Sequence, residues 1–451
     1  MILDKRADLG HGDVKKLLFS LSVPTITSQI VNMLYNLVDR VFIGHMQPAE
    51  TVGKLALTGV GVCLPIIMVI SAFASLMAIG GAPRASIAEG AGESEKSERI
   101  MGNCLTMLVI TALVLTVLFE SFAEPLLLMF GASENTIGYA LDYMRIYALG
   151  TIFVQLTLGM NAYITAQGFA TVSMKTVLIG ALLNIALDPL FIFVFGLGVR
   201  GAALATVLSQ MISAVLPIVV LLRQKEDRLE LRKLRIERSL LGRILRIGIP
   251  AGLQFVTFDF SNVLIQSGIN SFGDTTMAAW TAYGKTDALV WMISGAFGVS
   301  ITTFVGQNFG AQKYSRIRQG AWTCLALSIA MVGALNVTLL LFRSQILGIY
   351  TDNPEVIAVG SMVMLSIMPY EFLFMPIEVF AGTMRGVGNS LMPTLITGSC
   401  VCLFRVVWLM TAVRHWHSLK TLTLSYPLSW ALAAAVFLVV YFKGSWLRRR
   451  R

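Results

Sequence analysis

Charge is what this sequence has least of. Only 13% of its 451 residues are Asp, Glu, Lys or Arg, about half the share of a soluble globular protein. So little charge excludes the surface of a water-soluble enzyme, a coiled coil or a disordered chain. Histidine (4) and cysteine (5) are scarce as well. Cys63, Cys104, Cys324, Cys400 and Cys402 lie inside apolar runs without metal-ligand spacing, so they read as small packing residues. His415 and His417, two apart, are a weak metal signal. No G-x-x-x-x-G-K-[ST] loop is present, which excludes ATP as the direct energy source, and no nucleophile elbow or zinc-protease motif occurs. The chain does not read as an enzyme, and no cofactor is implied.

What is present is apolar length. Hydrophobic residues make up 56% of the chain, in long continuous runs rather than the two-residue alternation of a membrane barrel. A helical crossing takes ~20 apolar residues. Runs of that kind fall near 17–42, 55–79, 101–119, 143–166, 176–195 and 202–222, then near 247–270, 277–303, 322–342, 357–382, 393–413 and 421–442. Twelve crossings are expected, in an all-α integral membrane protein. The net charge of +10 sits in short connections, which is a membrane-orientation signal rather than a nucleic-acid surface. The 223–246 stretch holds Arg223, Lys225, Arg228, Arg232, Lys233, Arg235, Arg238, Arg243 and Arg246, and Arg448 to Arg451 end the chain. This pattern predicts a multi-pass protein with both termini cytoplasmic. The first apolar run is too long for a signal-peptide core, so the first crossing is expected to remain in the mature protein.

The basic stretch lies at the midpoint, and the two halves align. Shifted by 218, Gly168, Met174, Thr176 and Gly180 fall on Gly386, Met392, Thr394 and Gly398; shifted by 217, Arg99 falls on Arg316; shifted by 226, Pro24 falls on Pro250. Six crossings per half give both halves the same sense in the membrane. Two six-helix bundles related by a pseudo-twofold axis along the membrane normal are therefore expected. The boundaries are a lobe over 1–222, a basic linker over 223–246 and a second lobe over 247–451.

An ionisable side chain at mid-membrane costs about 2.5–3.5 kcal/mol on insertion scales, so each one needs a partner or a wet cavity. In VPTITSQIVNMLYNLVDRVFIG, residues 23–44, Asn32 and Asp39 nearly eclipse. Tyr35 and Asn36 flank Asp39 on either side, giving one face an acid, two amides and a phenol. The alternative is an Asp39 neutralised at the interface by water or Arg40. Pro24 leaves one carbonyl of this helix without its usual donor, a point for bending. In ALLNIALDPLFIF, Asn184 and Asp188 stack one turn apart, with Pro189 next. Asn161 and Thr206 are candidates for the same cavity. Two acids bordered by amides and hydroxyls suit a proton, a sodium ion or an organic cation; a structural knot of hydrogen bonds is the alternative. The second half offers Asp259, Asn262 and Gln266 on one face, Glu371 and Glu378 seven apart, and the bases Lys285 and Arg405. Lys285 reads as a basic partner or, with Asp287, as a residue lying at the interface, and Arg405 as either a functional base or the partner of a glutamate. Asp39 and Asp188 align with Ile265 and Val406, so the ion site is expected in the first half.

Pro24, Asp39 with VFIG after it, AQG at 166–168, LLNIALDPLFIF, VLIQSGINSFG, TTFVGQNFGAQ at 302–312 and MRGVGNSLMP at 384–393 together resemble the multidrug and toxic compound extrusion (MATE) family. The resemblance covers nearly the whole chain and is closest to the DNA-damage-inducible-type branch. It implies an antiporter that exports organic, often cationic compounds against protons or sodium ions by alternating access. It further implies cation binding by Asp39, Asn184 and Asp188, with Tyr35, Asn36, Asn161 and Thr206 as neighbours, and bending at Pro24. Another branch uses acids of the second lobe, for which Asp259, Gln266, Glu371, Glu378 and Arg405 are the candidates here. Arg40, directly after the key aspartate, departs from the pattern. The expected setting is a bacterial cytoplasmic membrane, with small organic molecules and the lipid bilayer as partners, no nucleic acid, no metal besides Na+, and a monomeric protein. A flippase for a lipid-linked oligosaccharide or peptidoglycan precursor is the rival; it should line its cleft with bases, and acids outnumber bases in these runs.

Overall fold

A computed structural model of the chain describes residues 8–224, 227–230, 234–444 and 446, with backbone alone for residues 49 and 50. Lys225, Arg232, Lys233 and Arg448 to Arg451 lie outside the described residues. Among the described residues every regular element is helical. In hydrocarbon each backbone N–H and C=O must be satisfied within its own segment, which is what long apolar helices achieve.

The described residues form two compact units: those of 23–248 with Asp8, and residues 9–22 with those from 249 onward. The first half supplies α1 (Val14–Gly44), α2 (Lys54–Val62), α3 (Leu64–Gly90), α4 (Ser94–Ser121), α5 (Ala123–Met129), α6 (Ile137–Leu149), α7 (Thr151–Ala166), α8 (Ala170–Pro189) and α9 (Val199–Arg223). The second half supplies α10 (Arg238–Asn270), α11 (Asp274–Gly310), α12 (Tyr314–Leu341), α13 (Arg343–Gly348), α14 (Pro354–Ile367), α15 (Phe374–Gly386), α16 (Leu391–Thr397), α17 (Phe404–Trp408), α18 (Leu419–Thr423) and α19 (Ser425–Lys443). Among the described residues, ten helices or continuous helical runs are long and apolar enough to cross a membrane, and the bent pair α6–α7 makes an eleventh. The 33-residue α10 is the twelfth long element. Gln254, Asp259, Asn262 and Gln266 leave it less apolar than the others. The architecture is all-α with two bundles.

Several expected runs are interrupted for identifiable reasons. The run near 143–166 is two helices meeting at 55°. They meet at Gly150, where a side chain would strike Val207 of α9. The run near 357–382 is α14 and α15 joined by the tight 3-10 turn Met368–Leu373, which contains Pro369. Proline has no N–H to donate and its ring crowds the preceding turn. At the end of α8 the same chemistry acts: Pro189 is followed by a wide π turn, Leu190–Val194.

The first unit has two apolar cores. One gathers Ile66, Ile70, Leu115, Tyr143, Tyr147 and Ala202. The other gathers Met77, Leu105, Leu108, Tyr163, Leu240 and Ile244. Where α3 meets the start of α10, backbones touch. A Cβ at Gly80 would lie 2.5 Å from the Ile244 carbonyl oxygen, and one at Gly248 would lie 2.5 Å from that of Leu76. Backbone cannot step aside as a side chain can, so Gly80→Ala is expected to cost about 1–3 kcal/mol by overpacking. Gly252→Ala, with open space around it, is expected to be neutral or better. Thermal unfolding of both variants in detergent checks this; equal midpoints would contradict the close crossing.

Candidate functional site

The polar residues singled out on α1 and α8 meet inside the first unit. Asp39 is 8% exposed, Asn184 1% and Asp188 0%, which answers the interfacial alternative for Asp39. Arg40, next in sequence, is exposed. The one-turn spacing on α8 does what it predicts: Asn184 Nδ2 donates to Asp188 Oδ1 at 3.2 Å. The same nitrogen reaches Thr206 Oγ1 of α9 at 3.5 Å. Asp39 and Asp188 are close enough to interact electrostatically. Tyr35 lies within reach of Asp39, and its hydroxyl accepts from Gln210 Nε2 at 3.5 Å.

These groups are short of donors. Asp39 Oδ1, Asn184 Oδ1 and Asp188 Oδ2 are buried without a hydrogen-bond partner, as are Ser209 Oγ and Gln210 Oε1. A cavity of about 190 Å³ touches Asn184, Ser209 and Gln210 but neither carboxyl group, and is lined also by Asn32, Tyr35, Asn161 and Thr206 among others. Asn161 is on its wall yet already engaged. Its Oδ1 accepts from Thr176 Oγ1 at 2.8 Å and Ser173 Oγ at 3.1 Å, and its Nδ2 donates to the Thr157 carbonyl at 3.0 Å. Asn36 is not brought to the cluster; it is exposed and donates to the Asn32 carbonyl at 2.7 Å.

Sequence reasoning missed two tyrosines. Tyr143 is buried near Thr206 and lies within electrostatic reach of Asp39. Tyr147 stacks on it, with ring centroids 5.9 Å apart, and lies within reach of Tyr35. Their i, i+4 spacing was the available signal. Nothing in a single chain says that α6 bends toward α1.

The second unit holds a different cluster. Glu371 and Asp287 face each other within interaction range. Asn336 Nδ2 donates to Glu371 Oε2 at 2.7 Å, and Trp291 Nε1 donates to Asp287 Oδ2 at 2.7 Å. Arg405 is 1% exposed, lies 3.9 Å over the Tyr426 ring, and reaches Asp287 electrostatically. Its Nε donates to Ser429 at 3.1 Å, so it does not pair with a glutamate side chain. Asp287 is an inward-facing acid, not an interface residue. Glu378 is paired instead with Arg385 at 2.8 Å. Asp259 is exposed, and Gln266 donates to Asn270 at 2.9 Å; neither joins the cluster. The spacing of Tyr283, Asp287, Val290, Trp291 and Ser294 along one face of α11 could have revealed it.

The two clusters differ in one physical respect. The second carries its own buried cation in Arg405. The first has two carboxyl groups, neither bonded to a Lys or Arg among the described residues; the exposed Arg40 acts on Asp39 only electrostatically. Its unpaired oxygens suit a hard, oxygen-seeking cation or a proton. Thr206→Val preserves shape but leaves one Asn184 N–H without its Thr206 acceptor. It is expected to destabilise the protein by about 1–3 kcal/mol, read as a lowered unfolding midpoint. An unchanged midpoint would mean that this contact carries nothing.

Known proteins share this frame. The chain is 25% identical over 440 residues to "Probable multidrug resistance protein YoeA" of Bacillus subtilis strain 168, covering 95% of this chain and 93% of that one. It is 26% identical over 399 residues to "Probable multidrug resistance protein NorM" of Thermotoga maritima, covering 85% and 82%. A solved structure of a multidrug resistance MATE family transporter, in an outward-facing conformation, superposes with a TM-score of 0.90 at 22% identity, over 98% of this chain and 99% of that one. The MatE family model matches residues 24–190 and again 250–410, starting at Pro24 and at Pro250 as the repeat requires. This chain belongs to the MatE family, whose members are multi-pass membrane transporters and not enzymes.

Proposed function

We propose that this transporter is a secondary antiporter exporting organic cations, driven by protons or sodium ions bound at Asp39, Asn184 and Asp188. The observation that carries the reading is the pair of buried carboxyl groups, mutually interacting and each with an unpartnered oxygen, whose neighbours Tyr35, Asn184 and Thr206 line a cavity. Burying two like charges side by side is unfavourable unless a cation joins them. A proton or Na+ supplies that charge, with Asn184 Oδ1 and the carboxylate oxygens as ligands. Tyr35, Tyr143 and Thr206 orient the ligands, and Pro24 and Pro189 relieve the backbone on either side. Coupling requires that occupancy of this site changes the free energy of holding cargo. A cationic cargo satisfies that requirement directly, because it competes for the same negative charge. The relatives' names support a drug-like range of cargo.

The test is uphill efflux of a cationic dye from proteoliposomes with a proton or a sodium gradient imposed separately. One gradient is expected to drive efflux. Asp39→Asn and Asp188→Asn are each expected to reduce driven efflux by at least about tenfold, the scale of a typical coupling energy, while thermal unfolding shows them folded. Wild-type efflux by both variants, together with loss in Glu371→Gln, would move the coupling site to the second unit. Efflux indifferent to either gradient would contradict antiport.

A further inference from the structure

The two compact units do not divide where the repeat does. The first turns of α1, up to Ser22, count with the second unit, and the first turns of α10, up to Gly248, count with the first. The crossover points are equivalent: the proline of each helix is the second residue past the boundary, Pro24 in α1 and Pro250 in α10, 226 apart. The buried faces match at the same offset. Val14, Leu18, Leu21 and Ser22 are buried in one foot, and Leu240, Ile244, Ile247 and Gly248 in the other.

Each foot is also clasped by an arginine from the start of a helix of the unit it enters, and these are the arginines the repeat aligns. In the second unit, Arg316 of α12 donates through Nη1 to the Gly12 carbonyl at 3.1 Å and through Nη2 to that of Leu9 at 3.3 Å. Asn308, fully buried, donates to the Leu9 carbonyl at 2.9 Å and accepts from Arg316 Nε at 3.2 Å. In the first unit, Arg99 of α4 donates through Nε to Glu237 Oε1 at 2.8 Å, and Asn103 donates to the Glu237 carbonyl at 3.1 Å. Arg84 adds a bond to the Arg243 carbonyl at 3.0 Å. The arginines occupy aligned positions while the amides do not, so each half has built its own clasp around a shared anchor.

We infer that the two halves exchange the feet of their first helices, so that residues 9–22 move with the second unit and 237–248 with the first. Arg316 and Arg99, with Asn308 and Asn103, are then positioning residues, and α1 and α10 are paired levers hinged at Pro24 and Pro250. The α1 lever carries Tyr35 and Asp39 on its far arm. A cation arriving there pulls on a helix whose other end is fixed in the second unit, which is a mechanical route for coupling. Proline supplies the weak point, since the carbonyl four residues before it lacks its helical donor.

The inference adds to the antiport reading and is testable apart from it. In the full chain with its five cysteines replaced, spin-label pairs are placed at Lys15→Cys with Ser315→Cys, Lys15→Cys with Glu95→Cys, Ser239→Cys with Glu95→Cys, and Ser239→Cys with Ser315→Cys. Pulsed dipolar spectroscopy follows them across pH, sodium and dye conditions. The first and third pairs are expected to hold one distance throughout, while the second and fourth shift. A Lys15–Ser315 distance that changes while Lys15–Glu95 stays fixed overturns the inference. The clasp needs no transport to be tested. Arg316→Gln with Asn308→Ala is expected to broaden the Lys15–Ser315 distribution, to lower uphill efflux by ~10-fold, and to leave equilibrium dye binding within ~2-fold. A distribution as narrow as in the parent also overturns it, whether or not the protein proves to be an antiporter.

Discussion

Two carboxyl groups shut away from water, with no protein cation bonded to them, are the constraint around which the first half is arranged. Mid-membrane placement of even one ionisable group costs about 2.5–3.5 kcal/mol on insertion scales, and a second like charge beside it adds repulsion. Asn184 donates one hydrogen bond to Asp188, and the remaining oxygens go unanswered. A membrane protein tolerates such a deficit where something arrives to fill it. The surroundings fit that demand: amides and hydroxyls around Asn184 and Tyr35 line a cavity, and Pro189 leaves the helical ladder of α8 open beside the cluster.

The second half uses the same scaffold for a different balance of charge. Asp188 aligns with Val406, and the next residue back in that helix is Arg405, a buried guanidinium stacked on Tyr426. Asp287, which faces Glu371, therefore has a permanent counter-charge within electrostatic reach. Duplication preserved the helices, their prolines and their loop arginines, while the polar chemistry of the two cores diverged. This asymmetry argues that the exchangeable cation belongs to the first unit, and that the second serves as the body against which α1 is braced through Arg316 and Asn308.

Much of this was legible in the sequence. Apolar run length exposed the all-α membrane fold because hydrocarbon leaves the backbone few other options. Asn184 and Asp188 could be paired because helical spacing alone stacks them. Asp39 could be joined to them only through the family resemblance, since packing between α1 and α8 is tertiary. Tyr143, Tyr147 and Asn336 were missed, and Asp287 was assigned to the interface, because each contributes through a neighbour distant in sequence. Asp259 and Glu378 misled for the opposite reason. An acid in an apolar run looks functional, yet one is exposed and the other is paired with Arg385 two turns beyond. The exchange of helix feet was not readable at all, although the aligned prolines and arginines that mark it were.

The most direct measurement counts the cations released when dye binds to the purified transporter at equilibrium, using a pH-sensitive dye in weak buffer for protons and a sodium-selective probe for Na+. If cargo and cation share the negative charge of Asp39 and Asp188, binding releases one of these ions from the wild type and none from Asp39→Asn or Asp188→Asn. Equal release from all three proteins would place the exchange elsewhere and contradict the account.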